Sequence, residues 1–205
     1  MQKFILFDFD GVIVDSFEPA FEVSKKACPH LTADEYKRGF EGNINDWKGA
    51  VSKHTEQCRT DIDFFTEYVP KMKDIGLVPG IKDVIKQLAE SNTLIIVSST
   101  ITMPIKELMD RTGLAHYFTD ILGNDIHKSK VEKIKMIFQK YQTTADNCVF
   151  ITDTLGDLRE AEKAGVGAIA VSWGFHSHET LQRGAPMKII DSPKNLLATI
   201  DSYFA

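Results

Sequence analysis

The stretch that decides the fold is residues 1–16, MQKFILFDFDGVIVDS, in which an apolar run ends in two aspartates. Asp8 and Asp10 follow the run Phe4–Phe7 and stand directly before Gly11. Side chains alternate along a strand, so residues two apart point the same way. We therefore expect two carboxylates aimed at one spot at the end of a buried strand. Neighbouring anions are costly without a cation or a shared proton, which is a first indication of a metal site.

A second interpretation of the same residues is a β-hairpin. Asp10-Gly11 between apolar runs is a strong hairpin signal, and residues 12–14 would form the returning strand. Residues 1–16 alone leave both interpretations open.

Length and composition limit the classes of protein that the chain can form. With 205 residues it can form a domain of ordinary size and a small second one. It carries 29 acidic against 24 basic residues, and no basic stripe with interleaved aromatic residues occurs, so a nucleic-acid partner is not expected.

Cysteine usage and hydropathy predict the compartment. Cys28, Cys58 and Cys148 form no C-x-x-C pair, so we expect three unpaired cysteines and a reducing compartment. The run Phe4–Phe7 is too short for a signal peptide or a membrane span. The sequence thus predicts a cytoplasmic protein that binds no membrane. It does not determine the oligomeric state and leaves a monomer and a homodimer open.

Short apolar runs alternate with stretches of helical spacing. The runs cover residues 4–7, 94–97, 118–122, 148–151, 168–171 and 188–190, and the helical stretches cover residues 81–91, 102–112, 130–141 and 158–164. This alternation predicts an α/β fold, a Rossmann-like doubly wound parallel sheet covered by helices on both faces. Ligands of such sheets bind beyond the carboxyl ends of the strands.

Residues 17–78 break the alternation. Charge-rich helical patterns cover residues 18–27, 33–42, 45–53 and 61–73, and no buried strand is predicted among them. We interpret residues 17–78 as an all-helical cap domain that ends at the Pro79-Gly80 turn. Residues 1–16 and 79–205 would form the α/β core domain.

Polar residues follow the apolar runs directly, which a hairpin alone does not predict. They are Asp8, Asp10, Ser98, Ser99, Thr100, Thr152, Asp153 and Ser172. Asp157 lies four residues after Asp153, so the two carboxylates share one face if a helix starts there. Acidic residues near a helix start are also favoured by the helix dipole alone. Four carboxylates without His or Cys nevertheless suit Mg²⁺, above all where phosphate completes the shell.

Lys130 closes the stretch His127-Lys128-Ser129-Lys130 and opens a predicted amphipathic helix. The ordinary role of such a lysine is a solvated surface charge. We expect that role for Lys128, Lys133 and Lys135.

Four motifs in this order resemble the haloacid dehalogenase superfamily, in its phosphatase branch with a helical cap after the first strand. They are Asp8–Val12, residues 94–97 with Ser98, Ser129-Lys130 at a helix start, and Thr152–Asp157. Val131 stands where the family often has proline, and Thr152 where glycine is commoner. Residues 170–175 with residues 190–193 also resemble phosphoglycolate phosphatases.

The resemblance implies roles for the motif residues. Asp8 would attack phosphorus and form an aspartyl-phosphate, and Asp10 would act as general acid and base. Mg²⁺ would be held by Asp8, the Asp10 carbonyl and Asp153, with Asp157 supporting this shell. Phosphoryl oxygens would be bound by the groups of Phe9, Asp10, Gly11, Ser98, Ser99 and Lys130.

Several alternatives stay open. Asp10 argues against dehalogenase and phosphonate-cleaving relatives, although Lys48 or Lys53 could supply the Schiff-base lysine of the latter. A phosphomutase of the β-phosphoglucomutase type keeps all four motifs, and a non-catalytic protein that binds a phosphorylated metabolite is a third possibility. Candidate specificity residues in the cap are Asn43, Asn45, Trp47 and Lys48, while His176 and His178 are expected to be solvated.

Overall fold

The fold is built on one six-stranded parallel sheet. The computed structural model describes residues 2–47, 58–59 and 61–205. The strands are β1 (Phe4–Phe7), β2 (Thr93–Val97), β3 (Phe118–Leu122), β4 (Cys148–Thr152), β5 (Gly167–Val171) and β6 (Lys188–Ile190). Their order is β3-β2-β1-β4-β5-β6, and every pairing is parallel. This confirms the predicted α/β fold class.

Helices cover both faces of the sheet, which is why the inner strands are apolar throughout. The core helices are α4 (Ile81–Ala89), α5 (Thr102–Thr112), α6 (Lys130–Tyr141), α7 (Leu155–Ala164), α8 (His178–Gln182) and α9 (Leu196–Tyr203). Ile5 and Phe7 of β1 pack with α4, α5 and α9, while Phe4 and Leu6 pack with α6, α7 and α8. All four side chains of β1 are buried, as expected for a central strand of a parallel sheet.

The register of β1 aligns the carboxyl ends of the central strands. Phe7 pairs with Ile96 of β2 on one side and with Ile151 of β4 on the other. Chain order reverses direction across the sheet between β1 and β4, the position at which open α/β sheets bind ligands. The residues after β1 and after β4 therefore meet at one place.

Side-chain caps fix the first turns of α6 and α7. The Ser129 side chain accepts a hydrogen bond from the Glu132 N–H, and the Thr154 side chain accepts one from the Asp157 N–H. Each cap satisfies a backbone donor that the helix itself leaves free. The two caps set the starting points of the helices that carry Lys130 and Asp157.

The segment between β1 and α4 is helical where it is described. It contains α1 (Phe17–Ala27), α2 (Ala33–Gly39) and α3 (Phe64–Tyr68), with 3₁₀ turns at Ile44–Asp46 and Val69–Asp74. The helix predicted over residues 61–73 is broken, because Pro70 lies in the first turn of the 3₁₀ segment and cannot donate to a continuing helix. Residues 48–53 of another predicted helix, with Lys48 and Lys53, lie outside the described residues.

One disulfide corrects the expectation of three unpaired cysteines. Cys28, just after α1, is bonded to Cys58, with their Cα atoms 4.3 Å apart, and Cys148 is free and buried. The prediction was wrong because C-x-x-C spacing detects only local pairs, whereas the fold brings together two residues 30 positions apart. The inferred reducing compartment loses this support. No helix in the described ranges is long and apolar enough to cross a bilayer.

Candidate active site

Asp8 lies at the carboxyl end of β1 and is nearly inaccessible, with 5% of its surface exposed. Its Oδ1 accepts a hydrogen bond of 2.7 Å from the Phe9 N–H. Its Oδ2 lies 2.9 Å from the Lys130 Nζ. Burial raises the pKa of the Asp8 carboxyl, with the Lys130 charge acting against this. The carboxyl group is thus fixed at both oxygens, beside a cation.

Lys130 links two buried carboxylates instead of facing solvent. Its Nζ lies 2.6 Å from the Asp157 Oδ2 as well as 2.9 Å from the Asp8 Oδ2. Burial alone would lower the pKa of the ammonium, but the charges of Asp157 and Asp8 outweigh it and raise that pKa. The ammonium therefore stays charged at the centre of the site.

One carboxylate oxygen of Asp157 accepts two hydrogen bonds from the protein. Its Oδ2 accepts hydrogen bonds from the Lys130 Nζ at 2.6 Å and from the Thr152 Oγ1 at 2.7 Å. Burial raises the pKa of the Asp157 carboxyl, but Lys130 and the hydrogen bonds to it outweigh burial and leave that pKa lowered. Asp157 is placed to position Lys130, with Thr152 as a second donor where the family commonly has glycine.

Asp153 has one oxygen that the protein leaves without a partner. Its Oδ2 accepts a 2.7 Å hydrogen bond from the Phe175 N–H, while its buried Oδ1 has no hydrogen bond. Burial raises the pKa of this carboxyl to about 7. Backbone packs tightly around it, because a Cβ added at Gly11 or Gly174 would lie 2.1 or 2.2 Å from the Asp153 Oδ2.

The donor set fits a hard cation. Among the described residues, no group of three or more His, Cys, Asp or Glu side chains is already arranged around a common metal position. Three buried carboxylates, Asp8, Asp153 and Asp157, lie near two buried ammonium groups, Lys130 and Lys133, and the Asp153 Oδ1 is an unused acceptor. Oxygen ligands and excess negative charge suit Mg²⁺. Asp8, the Asp10 carbonyl and Asp153 are the groups that would hold it.

Asp10 is held by two hydroxyl groups, one of which the sequence placed at this edge of the sheet and one of which it missed. The Tyr68 Oη donates to the Asp10 Oδ1 at 2.6 Å, and the Thr100 Oγ1 donates to the Asp10 Oδ2 at 2.7 Å. Tyr68 belongs to the inserted segment and Thr100 to the loop after β2, so Asp10 joins the two parts of the fold. Thr100 was expected here because it follows an apolar run, although it was given no role, whereas no sequence signal marks Tyr68.

Thr100→Val removes one of these donors while keeping the shape of the side chain. We expect kcat/KM to fall about 10- to 100-fold, because a misplaced acid–base group loses much of its contribution. Thr100→Ser keeps the hydroxyl and should restore most of the loss. Steady-state kinetics with one phosphomonoester measures both variants, and equal rates for Val and Ser would contradict this role.

Of the other groups predicted to bind phosphate, some line the cavity and others are hydrogen-bonded inside the protein. Ser99 lines the cavity, but Ser98 is buried, and its Oγ accepts a 2.9 Å hydrogen bond from the Thr100 N–H. The Phe9 N–H donates to Asp8, and the Gly11 N–H donates to the Val14 carbonyl. The structure therefore brings Ser99 to the cavity, whereas the N–H groups of Phe9 and Gly11 are used inside the protein.

Lys133 is buried, which corrects the expectation of a surface lysine. Its Nζ donates a 2.5 Å hydrogen bond to the Ser98 carbonyl, and none of its surface is exposed. Burial and the neighbouring Lys130 charge lower the pKa of its ammonium to about 8. The spacing in the sequence could have indicated this burial, because Lys133 lies three residues after Lys130 and so shares its helix face, and Lys130 points inward.

The inserted segment is hydrogen-bonded to the core beside the site. The Gly156 N–H donates to the Phe40 carbonyl at 2.8 Å, and the Asn45 amide donates to the Lys128 carbonyl at 3.0 Å. Arg183 makes a two-pronged ion pair with Glu41. These contacts join the inserted segment to the core next to the cavity that Asp8 lines.

Gly156→Ala should disturb this contact. A Cβ at Gly156 would lie 2.2 Å from the Gly42 carbonyl oxygen and 2.8 Å from that of Phe40, so the loop has to move away. We expect kcat/KM to fall about tenfold or more, since small displacements of closing elements are costly. Gly76→Ala, where a Cβ meets nothing within 4 Å, is the matched control. Unchanged kinetics in Gly156→Ala would contradict the tight contact.

His176 is buried, not solvated as expected. Its Nδ1 accepts a 2.9 Å hydrogen bond from the Leu155 N–H, and its Nε2 lies 2.8 Å from the Lys37 carbonyl oxygen. This pairing defines a neutral ring that donates from Nε2. Burial lowers its pKa, although the Lys37 carbonyl and the charges of Glu41 and Asp157 act in the opposite direction. A protonated ring would lose the bond from Leu155.

The lowered pKa of His176 makes stability depend on pH. Below about pH 6.5 the unfolded chain binds a proton at this histidine more readily than the folded chain, so stability falls as the pH decreases. We expect the melting temperature of His176→Gln to decrease less than that of the parent protein when the pH is lowered from about 7 to 5. His178→Gln, at an exposed neighbour, is the control. An equal decrease in parent and His176→Gln would contradict this assignment.

Comparison with known proteins agrees with the motifs. Residues 5–171 match the sequence profile of the haloacid dehalogenase-like hydrolases. The chain belongs to this family. A phosphoglycolate phosphatase of Vibrio parahaemolyticus is 23% identical over 220 residues, which cover 97% of this chain and 96% of the relative. The resemblance inferred from the four motifs is thereby confirmed, and so is the class of enzyme, a hydrolase.

Two solved structures share the fold over nearly the full length of the chain. A predicted phosphatase from Clostridium acetobutylicum superposes with a TM-score of 0.84 at 21% identity, covering 98% of this chain and 99% of its own. CbbY from Rhodobacter sphaeroides in complex with phosphate superposes with a TM-score of 0.74 at 21% identity, covering 98% and 100%. These likenesses establish the arrangement of sheet and helices.

Proposed function

We propose that this hydrolase is a Mg²⁺-dependent phosphatase of small phosphomonoesters. The observation that carries the proposal is the buried group of Asp8, Lys130 and Asp157, with Asp10 beside it in the same cavity. Phosphoryl transfer to a carboxylate needs a nucleophile with a cation fixed beside it, which Asp8 and Lys130 provide. It also needs a group that can transfer a proton, which is the carboxyl group of Asp10.

Asp8 acts as the nucleophile. Its carboxylate oxygen attacks phosphorus while the bond between phosphorus and the leaving oxygen breaks, which produces an aspartyl-phosphate and an alcohol. Asp10 enters this step in its protonated form and donates its proton to the leaving oxygen, which leaves it as a carboxylate. Asp10 then takes a proton from a water molecule that attacks phosphorus, so that inorganic phosphate is released and Asp8 is regenerated.

Lys130 and the loop after β2 bind the transferring group. The Lys130 ammonium neutralises charge on the phosphoryl oxygens, and Asp157 holds it in place through the 2.6 Å contact. Ser99 lines the same cavity as a further donor. When bound, Mg²⁺ supplies positive charge that lessens repulsion between the phosphate and the Asp8 carboxylate. The Asp8 and Asp153 carboxylates are the side chains placed to hold this ion.

The names of relatives support a phosphomonoester as the substrate. The Vibrio parahaemolyticus relative is named for phosphoglycolate, and the Rhodobacter sphaeroides structure contains phosphate. A small phosphorylated metabolite is accordingly the proposed partner. A cytoplasmic location and a monomeric or homodimeric state stay predictions.

Phosphate release from a panel of phosphomonoesters tests the function. The panel contains phosphoglycolate, a sugar phosphate and simple alkyl phosphates, each assayed with Mg²⁺ and with a chelator. We expect release that requires Mg²⁺ and returns when Mg²⁺ is restored. Full activity in the chelator would contradict the metal dependence. Conversion of a sugar phosphate to an isomer without net release would instead identify a mutase.

A further inference from the structure

The cavity over Asp8 is much larger than a phosphate group and is lined mainly by apolar side chains. Its volume is about 550 Å³, and the core contributes Asp8, Asp10 and Lys130 to its wall. The inserted segment contributes the apolar side chains of Phe40, Ile44, Trp47, Ile62, Phe64 and Phe65. The alcohol part of the substrate has to occupy this apolar portion.

Two polar side chains of the inserted segment that line the cavity, Asn45 and Ser24, use their hydrogen-bond donors within the protein. Both amide hydrogens of Asn45 are used, at 3.1 Å to the Asn43 Oδ1 and at 3.0 Å to the Lys128 carbonyl. The Ser24 hydroxyl donates to the Ala20 carbonyl at 3.1 Å. These groups offer no free donor to a hydroxyl-rich substrate.

Arg59 is the sole cation that the described residues of the inserted segment bring to the cavity wall. Its guanidinium makes two bonds to Asp61, Nε to Oδ1 at 3.1 Å and Nη2 to Oδ2 at 2.8 Å. The Arg59 side chain is 61% exposed and that of Asp61 is 68% exposed. Water reaches both side chains of this pair, so the Arg59 guanidinium would add little to the binding of a substrate carboxylate.

Aromatic rings dominate the same wall. The rings of Phe64 and Tyr68 stack at 5.1 Å between centroids, and Tyr36 meets Phe40 edge-on at 5.1 Å. An additional ring can extend such a cluster through the same stacked and edge-on contacts. Hydroxyl or carboxylate groups placed there would lose their water without gaining partners, which is unfavourable.

We propose that the substrate is the phosphomonoester of an aromatic alcohol, with the phosphate as its sole charged group. This inference rests on the proposed phosphatase function and adds the chemical class of the alcohol that the enzyme releases. The phosphate lies at Asp8 and Lys130, and the ring packs between Phe64, Phe65 and Trp47. Phosphoglycolate would place a carboxylate against these rings.

Three synthetic esters test the inference. 2-Phenylethyl phosphate and ethyl phosphate are both esters of primary alcohols and differ by the ring, while phosphoglycolate carries a carboxylate instead. We expect kcat/KM for 2-phenylethyl phosphate to exceed that for ethyl phosphate by on the order of 100-fold, and to exceed that for phosphoglycolate as well.

A matched pair of variants localises the effect. Phe65→Ala should lower the ratio of kcat/KM between 2-phenylethyl phosphate and ethyl phosphate about tenfold, because it removes part of the apolar wall. Phe204→Ala, near the carboxyl end of the chain and outside the cavity wall, should leave this ratio unchanged.

The outcomes separate this inference from the proposed function. Preference for phosphoglycolate or a sugar phosphate over 2-phenylethyl phosphate would overturn the aromatic alcohol and leave the phosphatase in place. Equal kcat/KM for the ethyl and phenylethyl esters would overturn it too. No Asp8-dependent release from any ester would overturn the phosphatase and the aromatic substrate together.

Discussion

The Asp8→Asn variant is expected to release phosphate at least about 10⁴-fold more slowly than the parent protein, since loss of a nucleophile removes most of an enzyme's catalysis. The amide matches the carboxylate in shape and can still accept the hydrogen bond from the Phe9 N–H. It cannot attack phosphorus as an anion, and it loses the charge that Lys130 now faces. Initial rates with a phosphomonoester and Mg²⁺ measure the loss.

Asp110→Asn is the matched control for this substitution. Asp110 is exposed on α5, and its side chain lies away from the cavity. We expect parental rates from it, which would show that an Asp-to-Asn change as such is harmless. Release by Asp8→Asn within about tenfold of the parent rate would contradict the nucleophile assignment, since the residual rate of such variants is far lower.

The kcat/KM of the Lys130→Met variant is expected to fall on the order of 1,000-fold. Losses of this size follow when an enzyme loses a donor that stabilises charge in the transition state. Met keeps much of the aliphatic chain but brings no charge. Asp8 and Asp157 then face each other without the ammonium that lies 2.9 and 2.6 Å from them. One of the two carboxyl groups must then take up a proton, or repulsion destabilises the fold.

Kinetics and thermal melting of the same preparation separate these two effects. Lys135→Met, at an exposed position on the same helix, is the control and should match the parent in both. If Lys130→Met melts cooperatively and still turns over within tenfold of the parent, Lys130 does not stabilise the transferring phosphoryl group.

The parts of the site that the sequence predicts correctly depend on local patterns and on one topological rule. The run Phe4–Phe7 fixes a buried strand, and parallel strands end at one edge, so Asp8 and Asp153 had to meet. These two assignments need strand identity and no knowledge of how side chains pack. Lys130 was assigned through the resemblance of Ser129-Lys130 at a helix start to the family motif, because its position alone also fits a solvated surface lysine.

The parts that the sequence did not predict depend on packing between distant segments. Tyr68 reaches Asp10 across 58 positions, and Cys28 reaches Cys58 across 30. His176 is buried because the inserted segment offers the Lys37 carbonyl to it. The spacing of Lys133 from Lys130 places both on one helix face, but it does not show that the Ser98 carbonyl lies beside the Lys133 ammonium. Nothing in the local pattern encodes these distances.

The most direct test of the phosphatase proposal is to identify the residue that carries the phosphoryl group during turnover. The enzyme is mixed with a phosphomonoester and Mg²⁺, quenched in acid within its first turnovers, digested, and analysed by peptide mass spectrometry. The account predicts a phosphoryl group on the peptide that contains Asp8, and fragmentation of this peptide should locate the group on Asp8. The Asp8→Asn variant should show no phosphorylated peptide. A phosphoryl group on Ser98, Ser99 or another residue, or rapid turnover with no phosphorylated peptide, would contradict it.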